Sequence, residues 1–230
     1  PTSSPAQLEV CSALMEKYSD IYLQSHVSEN MAEIKWVAEL FPESRSYLDV
    51  YARFNLLGPR SMFGHAIHMD ETDLAQAKET ETKFVHCPTS NLFMNSGLFR
   101  LGDMRRAGLK ILLGSDVGGG TSFSPFITMK VAYEIALMNH YILTPEEAFW
   151  MSSSGGAEAL GLGNQIGFIK PGFEADFAVI DLQSTPLIKQ RVLQAESFSD
   201  VLFTQMILAD DRAIRATYAN GVRIFNSERS

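Results

Sequence analysis

The chain has 230 residues, 46% of them apolar and 20% charged, with a formal net charge of −8 at pH 7. This length and composition predict a globular protein with one large core, or one core and a small appendage. An acidic chain without a basic cluster is a poor match for nucleic-acid polymers and anionic membranes. Its two cysteines are too few for a disulfide framework, and we find no apolar stretch of the ~18 residues that a membrane span needs. We therefore expect a cytoplasmic protein.

Along the first two thirds of the chain, short apolar segments alternate with segments whose apolar residues recur at helical spacing. The segments predicted as buried strands are residues 20–26, 61–67, 83–87 and 109–115. Apolar residues recur at helical spacing between them, over 34–41 and 129–136. Strands that alternate with helices indicate βα units and a parallel sheet. The spacing of the strand ends fits an eight-stranded β/α barrel, which averages about 31 residues per unit, but four strands cannot close one.

The last third of the chain has a different pattern. Residues 144–147 (TPEE) form a helix-start signal, and Gly155 and Gly156 are predicted to interrupt that helix. A strand is predicted over about 174–181, and Asn220-Gly221 lies between two β-type runs, which favours a hairpin. We therefore assign residues 1–168 to the barrel units and residues 169–230 to a C-terminal β appendage with one helix.

Polar residues end three of the predicted strands. They are His26, His65 and Asp116, and Glu29 follows just beyond the first of them. The carboxyl ends of the strands carry the active site in β/α barrels, and imidazole and carboxylate groups bind divalent metals. This arrangement predicts the catalytic mouth of a metal-dependent hydrolase.

Each of these residues also has a structural alternative. His26 could be a half-buried, hydrogen-bonded histidine, and Glu29 a first-turn glutamate favoured by the helix dipole. Asp116 could be a helix N-cap or a turn residue. The glycines at 118–120 let other groups approach the Asp116 backbone closely, but no GxGxxG motif or phosphate-loop lysine supports phosphate binding there.

The other histidines and Cys87 offer less chemistry. His68 is predicted to line the pocket or its outer wall, and His86 to be a satisfied core histidine. His140 follows a long helix and is predicted to interact with its C-terminal dipole. Nothing in the sequence marks Cys87 as an activated nucleophile. The polar loop at 86–91 (HCPTSN) falls where barrel enzymes bind substrate.

Several motifs together resemble the amidohydrolase superfamily, and within it most closely the guanine deaminases. These motifs are residues 25–30 (SHVSEN), 46–51 (SYLDVY), 64–65 (GH), 86–91 (HCPTSN), 95–99 (NSGLF), 114–116 (GSD) and 209–212 (ADDR). The resemblance extends over nearly the whole chain. It implies a zinc-dependent barrel enzyme that hydrolyses guanine to xanthine and ammonia.

The resemblance also implies a role for each residue. His26 from strand five and Asp116 from strand eight would hold one Zn²⁺ and lie against the substrate. Glu29 would contact the guanine, protonate its ring and pass a proton to the leaving amine, while His65 from strand six would steady the attacking hydroxide. The complete protein is expected to be a homodimer.

The chain departs from the family pattern in one respect. The His-x-His pair of the first strand and an upstream arginine that helps hold the purine are not found in these residues. The resemblance therefore implies the C-terminal half of a (β/α)8 barrel, strands five to eight, with part of a small β-sandwich appendage. We expect the isolated chain to bind zinc poorly and to associate through exposed strand edges. The alternatives are a related deaminase for another heterocycle and a non-catalytic structural fragment.

Overall fold

The structure, a computed structural model, describes residues 1–227 and contains two sheets. The first is a four-stranded sheet in the order β1 (Leu23–Val27), β2 (Ser61–His65), β3 (Lys83–His86) and β4 (Ile111–Leu113). The helices before, between and after these strands are α1 (Pro5–Lys17), α2 (Met31–Leu40), α3 (Tyr47–Arg53), α4 (Glu71–Glu79), α5 (Pro88–Phe93), α6 (Leu101–Arg106), α7 (Pro125–Met138), α8 (Pro145–Met151) and α9 (Ser154–Ala159). All four strands run parallel, which confirms the predicted βα units.

The pairing of the strands aligns their carboxyl ends. Val27 lies opposite His65 across the β1–β2 pair, and His86 lies opposite Leu113 across the β3–β4 pair. The observed strands are shorter than the predicted segments. β2, β3 and β4 lie within the ranges expected for them, and β1 extends one residue beyond its range, to Val27. The polar residues that follow the strands are therefore brought to one edge of the sheet.

The two faces of the parallel sheet have different environments. Phe63 and Phe84 are fully buried in the main core, together with Leu48 of α3 and Met104 of α6. Side chains alternate along a strand, so Gly64 faces the opposite way from Phe63 and lines a cavity. One face of the sheet thus packs against helices, while the other forms the wall of the cavity.

The helix start predicted at residues 144–147 is confirmed, but the helix ends earlier than expected. The Thr144 side chain accepts a hydrogen bond from the Glu147 backbone N–H, and α8 ends at Met151. Gly155 and Gly156 do not interrupt α8, because they lie inside the separate helix α9. A Cβ at Gly155 would lie 2.5 Å from the Trp150 ring, so the glycine lets α9 pack closely on that indole.

The last part of the described chain forms a three-stranded antiparallel sheet from β5 (Phe177–Ile180), β6 (Ile214–Ala219) and β7 (Val222–Asn226). Asn220 and Gly221 join β6 to β7 with φ of 47° and 74°, which confirms the predicted hairpin. A second sheet layer, which a sandwich would need, stays a prediction.

The prediction of one helix after residue 169 is wrong, because two α-helices and a short 3-10 helix (Asp211–Ala213) lie between β5 and β6. The α-helices are α10 (Pro186–Leu193) and α11 (Phe198–Leu208). Both have side-chain N-caps, Thr185 for α10 and Ser197 for α11, and Ser197 forms a reciprocal capping box with Asp200. Phe203 of α11 packs edge-on against Tyr133 of α7, with ring centroids 5.5 Å apart. The division at residue 168 stays a prediction.

Among the described helices, none combines the length and apolar character of a membrane-spanning segment.

Arg60, which precedes β2, holds the end of α1 against the sheet. Replacing Arg60 therefore tests how much this contact stabilises the fold. Its guanidinium donates to the carbonyl oxygens of Met15 at 2.7 Å, Tyr18 at 2.7 Å and Ile21 at 2.9 Å. We expect Arg60→Met to lower the free energy of unfolding by about 2 kcal/mol, because hydrogen bonds from a charged donor are lost. Urea denaturation measures this loss. Arg223→Met, at an exposed position of β7, serves as control and should change it by less than about 0.5 kcal/mol.

Candidate active site

A cavity of about 770 Å³ opens at the carboxyl ends of β1–β4. It is lined by Gln24, Ser25, His26, Glu29, Gly64, His65, Val85, Cys87, Leu113, Gly114, Ser115 and Asp116. All four residues predicted to form the catalytic mouth are in this wall. The cavity is therefore the candidate active site.

Three of the predicted residues meet around the ring of His65. Its Nε2 atom lies 3.8 Å from Glu29 Oε2 and 3.8 Å from Asp116 Oδ2. His65 is buried, whereas the Asp116 side chain is 41% exposed to the cavity. An imidazole between two carboxylates is an arrangement that can move protons between them and a substrate.

The backbone is strained at the residues that form this mouth. Ser28, His65 and Asp116 have positive φ angles of 48°, 69° and 48°. Non-glycine residues rarely adopt this left-handed conformation, which costs of order 1–3 kcal/mol and is found at functional sites. The backbone N–H groups of Ile67 and His68 both donate to the Ser28 carbonyl, which holds the turn in place.

The segment after β3 holds both Glu29 and His65. The loop predicted at 86–91 is largely helical, because α5 begins at Pro88. The Ser96 hydroxyl donates to Glu29 Oε1 at 2.7 Å, and Asn91 Oδ1 accepts the N–H of His65 Nδ1 at 2.9 Å. Ser96 is tied to the same segment, because its backbone N–H donates to the Asn91 carbonyl. Sequence reasoning placed this loop near the substrate but gave no individual role to Asn91 or Ser96.

His26 lies in the mouth with one ring nitrogen already occupied. Its Nε2 is 2.7 Å from Glu33 Oε1, and its ring centroid is 6.2 Å from that of His65. The hydrogen bond to Glu33 raises the pKa of His26 by more than burial lowers it. Burial raises the pKa of Glu33, but the hydrogen bond and charge of His26 outweigh it and lower the pKa overall. Glu33 was not among the predicted site residues.

The described residues bring a set of metal donors together that differs from the predicted pair. His65, Cys87 and Asp116 have ligand atoms within 4.8 Å of one another, and His26 is outside this group. Burial, followed by the charge of Asp116, raises the pKa of the Cys87 thiol to about 12. A protonated thiol is a poor metal ligand, because the thiolate is the binding form.

The mouth nevertheless fits a zinc ion in its donor types and in its free space. Imidazole nitrogen and carboxylate oxygen, the donors of His26, His65 and Asp116, are ligands that zinc binds. A Cβ at Gly119 would lie 2.6 Å from Ser90 Oγ and 3.3 Å from Asp116 Oδ2, so the glycine keeps the space beside this carboxylate open. The buried Ser90 Oγ has no hydrogen-bond partner within the part of the chain described.

The other histidines lie outside the catalytic mouth. His86 is fully buried and stacks on Phe99, with ring centroids 4.4 Å apart, and burial lowers its pKa to about 3. It is a core histidine but not a satisfied one, since neither ring nitrogen finds a partner among the described residues. His68 Nε2 lies 3.0 Å from the Ser96 carbonyl oxygen, and His140 follows the end of α7 as predicted.

Comparisons with known proteins place the chain in a family. The sequence model of the amidohydrolase family matches residues 1–224. The chain belongs to the amidohydrolase family. It is 40% identical over 225 residues to the guanine deaminase of Escherichia coli (strain K12), covering 98% of this chain and 51% of that protein.

Solved structures show the same likeness. The chain matches the E. coli guanine deaminase with a TM-score of 0.97 and 39% identity, over 99% of this chain and 53% of that one. It matches a guanine deaminase from C. acetobutylicum, which has guanine bound in its active site, with a TM-score of 0.88 and 28% identity, over 98% of this chain and 53% of that one. The chain thus spans about half the length of these relatives.

The glycine run after Asp116 provides a test of how the mouth is built. A Cβ at Gly120 would lie 1.7 Å from the Ser115 carbonyl oxygen, whereas a Cβ at Gly64 would meet nothing closer than 3.8 Å. We expect Gly120→Ala to lower the free energy of unfolding by about 2 kcal/mol or more, because backbone atoms must move apart. The matched control Gly64→Ala should change it by less than about 1 kcal/mol in denaturant titrations. Equal losses would contradict this assignment.

Cys87 should react slowly despite lining the cavity. A pKa raised from 9.0 to about 12 reduces the thiolate fraction at neutral pH roughly a thousandfold. We expect alkylation of Cys87 by iodoacetamide to be at least ~100-fold slower in the folded chain than in the urea-unfolded chain. Peptide mass spectrometry measures both rates at one pH. Equal rates would show that the thiol is neither buried nor held protonated.

Proposed function

We propose that this chain supplies part of an active site that hydrolyses guanine to xanthine and ammonia. The observation that carries the proposal is the meeting of Glu29, His65 and Asp116 in one cavity of an amidohydrolase chain that resembles guanine deaminases along 98% of its length. The cavity volume of about 770 Å³ is large enough for a purine.

Glu29 is the proton carrier in this proposal. Ser96 holds its Oε1 atom, and its Oε2 atom faces His65 at 3.8 Å. In its acid form, Glu29 would protonate the purine ring. The carboxylate that this leaves would then take up the proton released by the attacking water, which Asp116 accepts first, and pass it to the leaving amine. His65, oriented by Asn91 and lying between Glu29 and Asp116, is placed to steady the attacking oxygen.

One zinc ion per site completes the proposal, with His26 and Asp116 as the residues of this chain that would hold it. Bound zinc lowers the pKa of water to about 7 and so provides a nucleophile at neutral pH. The Asp116 carboxylate, which is 41% exposed, would accept the proton that the attacking water releases. His26, Glu29 and Asp116 all line the cavity and are therefore available to contact the base.

Further features follow from the same proposal. The four parallel strands would be strands five to eight of a (β/α)8 barrel, and the antiparallel sheet part of a β-sandwich. The complete enzyme would be a cytoplasmic homodimer. The parallel order β1-β2-β3-β4, with helices covering one face, supports the first of these statements.

A hybrid enzyme tests the proposed activity. The half of the E. coli guanine deaminase that this chain matches is replaced by this chain. Ammonia release is followed with guanine, adenine, cytosine and an amino-substituted triazine as substrates, and xanthine formation is followed with guanine. We expect the hybrid to be active on guanine, because the chain brings its own Glu29, His65 and Asp116 to the shared cavity. Turnover of another substrate with none of guanine would refute the substrate assignment.

Substitutions in the hybrid show whether the activity depends on this chain. Glu29→Gln should lower kcat by about 10²- to 10⁴-fold, which is the range for loss of a general acid–base group. Glu16→Gln, at an exposed position of α1, is the matched control and should leave kcat unchanged. A Glu29→Gln hybrid with full activity would exclude Glu29 as the proton carrier.

A further inference from the structure

A single carboxylate on α2 contacts three groups around the mouth. Glu33 Oε1 accepts hydrogen bonds from His26 Nε2 at 2.7 Å and from the Tyr47 hydroxyl at 3.3 Å. Its Oε2 accepts the Glu29 backbone N–H at 3.2 Å. The Glu33 side chain is only 10% exposed. Both carboxylate oxygens thus accept hydrogen bonds from protein groups.

The position of Glu33 is fixed by the helix start. Asn30 is the N-cap of α2, and its side-chain oxygen accepts the Glu33 backbone N–H at 2.9 Å. A carboxylate in the first turn is also stabilised by the helix dipole. Glu39 on the same helix is exposed. Helix stability alone therefore does not explain why the Glu33 carboxylate turns inward onto His26.

The hydrogen bond determines which ring nitrogen of His26 remains available. A carboxylate only accepts hydrogen bonds, so Nε2 must carry the proton that is donated to Glu33. In the neutral ring, Nδ1 then holds the free lone pair. The main chain is held as well, because the Tyr51 hydroxyl donates to the His26 carbonyl at 3.0 Å. The ring and the backbone of His26 are thus both oriented.

We propose that Glu33 is a positioning residue of this site. Its carboxylate selects the His26 tautomer that offers Nδ1 to a metal ion, and its second oxygen steadies the backbone of Glu29. The metal part of this inference rests on the proposed function, in which His26 binds zinc. Carboxylate partners of histidine ligands typically change metal affinity 10- to 100-fold when they are removed.

The tautomer of His26 gives the first readout. Ring ¹⁵N shifts are recorded on the metal-free chain at alkaline pH, where the imidazole is neutral, for the wild type, Glu33→Met and Glu39→Met. We expect one tautomer with the proton on Nε2 in the wild type and in Glu39→Met. Glu33→Met, which has no carboxylate, should give a mixture of tautomers. A folded Glu33→Met chain with the wild-type tautomer would overturn the proposal.

Metal affinity gives the second readout. Zn²⁺ binding to the hybrid enzyme is measured by competition with a chromophoric chelator, because the isolated chain is expected to bind zinc poorly. We expect Glu33→Met to weaken binding 10- to 100-fold. Glu33→Gln keeps the side-chain length and one carbonyl acceptor, so it should weaken Zn²⁺ binding less than Glu33→Met does. It also serves as the test variant if Glu33→Met does not fold. Affinities of both folded variants within twofold of the Glu39→Met control would overturn the proposal.

The two readouts separate this inference from the proposed function. If Glu33→Met changes the tautomer and weakens Zn²⁺ binding while the hybrid enzyme turns over another substrate but not guanine, Glu33 keeps its role and guanine deamination is refuted. If the hybrid deaminates guanine while Glu33→Met and Glu33→Gln leave tautomer and affinity unchanged, the function stands and the inference about Glu33 is refuted.

Discussion

The parallel pairing of four strands is the constraint on which the rest of the site depends. Because β1 to β4 run in one direction with aligned ends, every residue that follows a strand is delivered to the same edge of the sheet. His26, His65 and Asp116 are far apart in the sequence and meet only for this reason. The buried aromatic side chains of Phe63 and Phe84 hold the sheet against the helices, which leaves the opposite face free to form the cavity.

Regular strand geometry alone does not explain why the His65 side chain faces the cavity. Alternation along β2 sends Phe63 toward the helices, and His65, two residues later, would follow it. The left-handed backbone at His65 breaks the alternation and turns the imidazole toward Glu29 and Asp116. Strain at this point is offset by hydrogen bonds around it, such as the bond between the His65 and Asn91 side chains. Backbone strain in the mouth is thus found at individual residues at the ends of the strands, such as His65.

Sequence patterns predict features that depend on local chemistry, and they miss those that depend on distant contacts. The strands, the helix start at Thr144 and the Asn220-Gly221 hairpin were all predicted, because each is specified by neighbouring residues. Only one of the helices α10 and α11 was expected, although their caps at Thr185 and Ser197 are both local signals. In contrast, no local pattern predicts that Ser96 reaches Glu29 across 67 residues of sequence, since the folded loop creates that contact.

The donor set of the mouth follows from the same geometry. His65, Cys87 and Asp116 have ligand atoms within 4.8 Å of one another, but the protonated thiol of Cys87 is unsuited to a metal, and Asn91 holds His65 through Nδ1. His26 is held in a similar way, because Glu33 engages its Nε2 and leaves Nδ1 as the free nitrogen of the neutral ring. The Glu33 carboxylate thus defines the nitrogen of His26 that a metal ion would use.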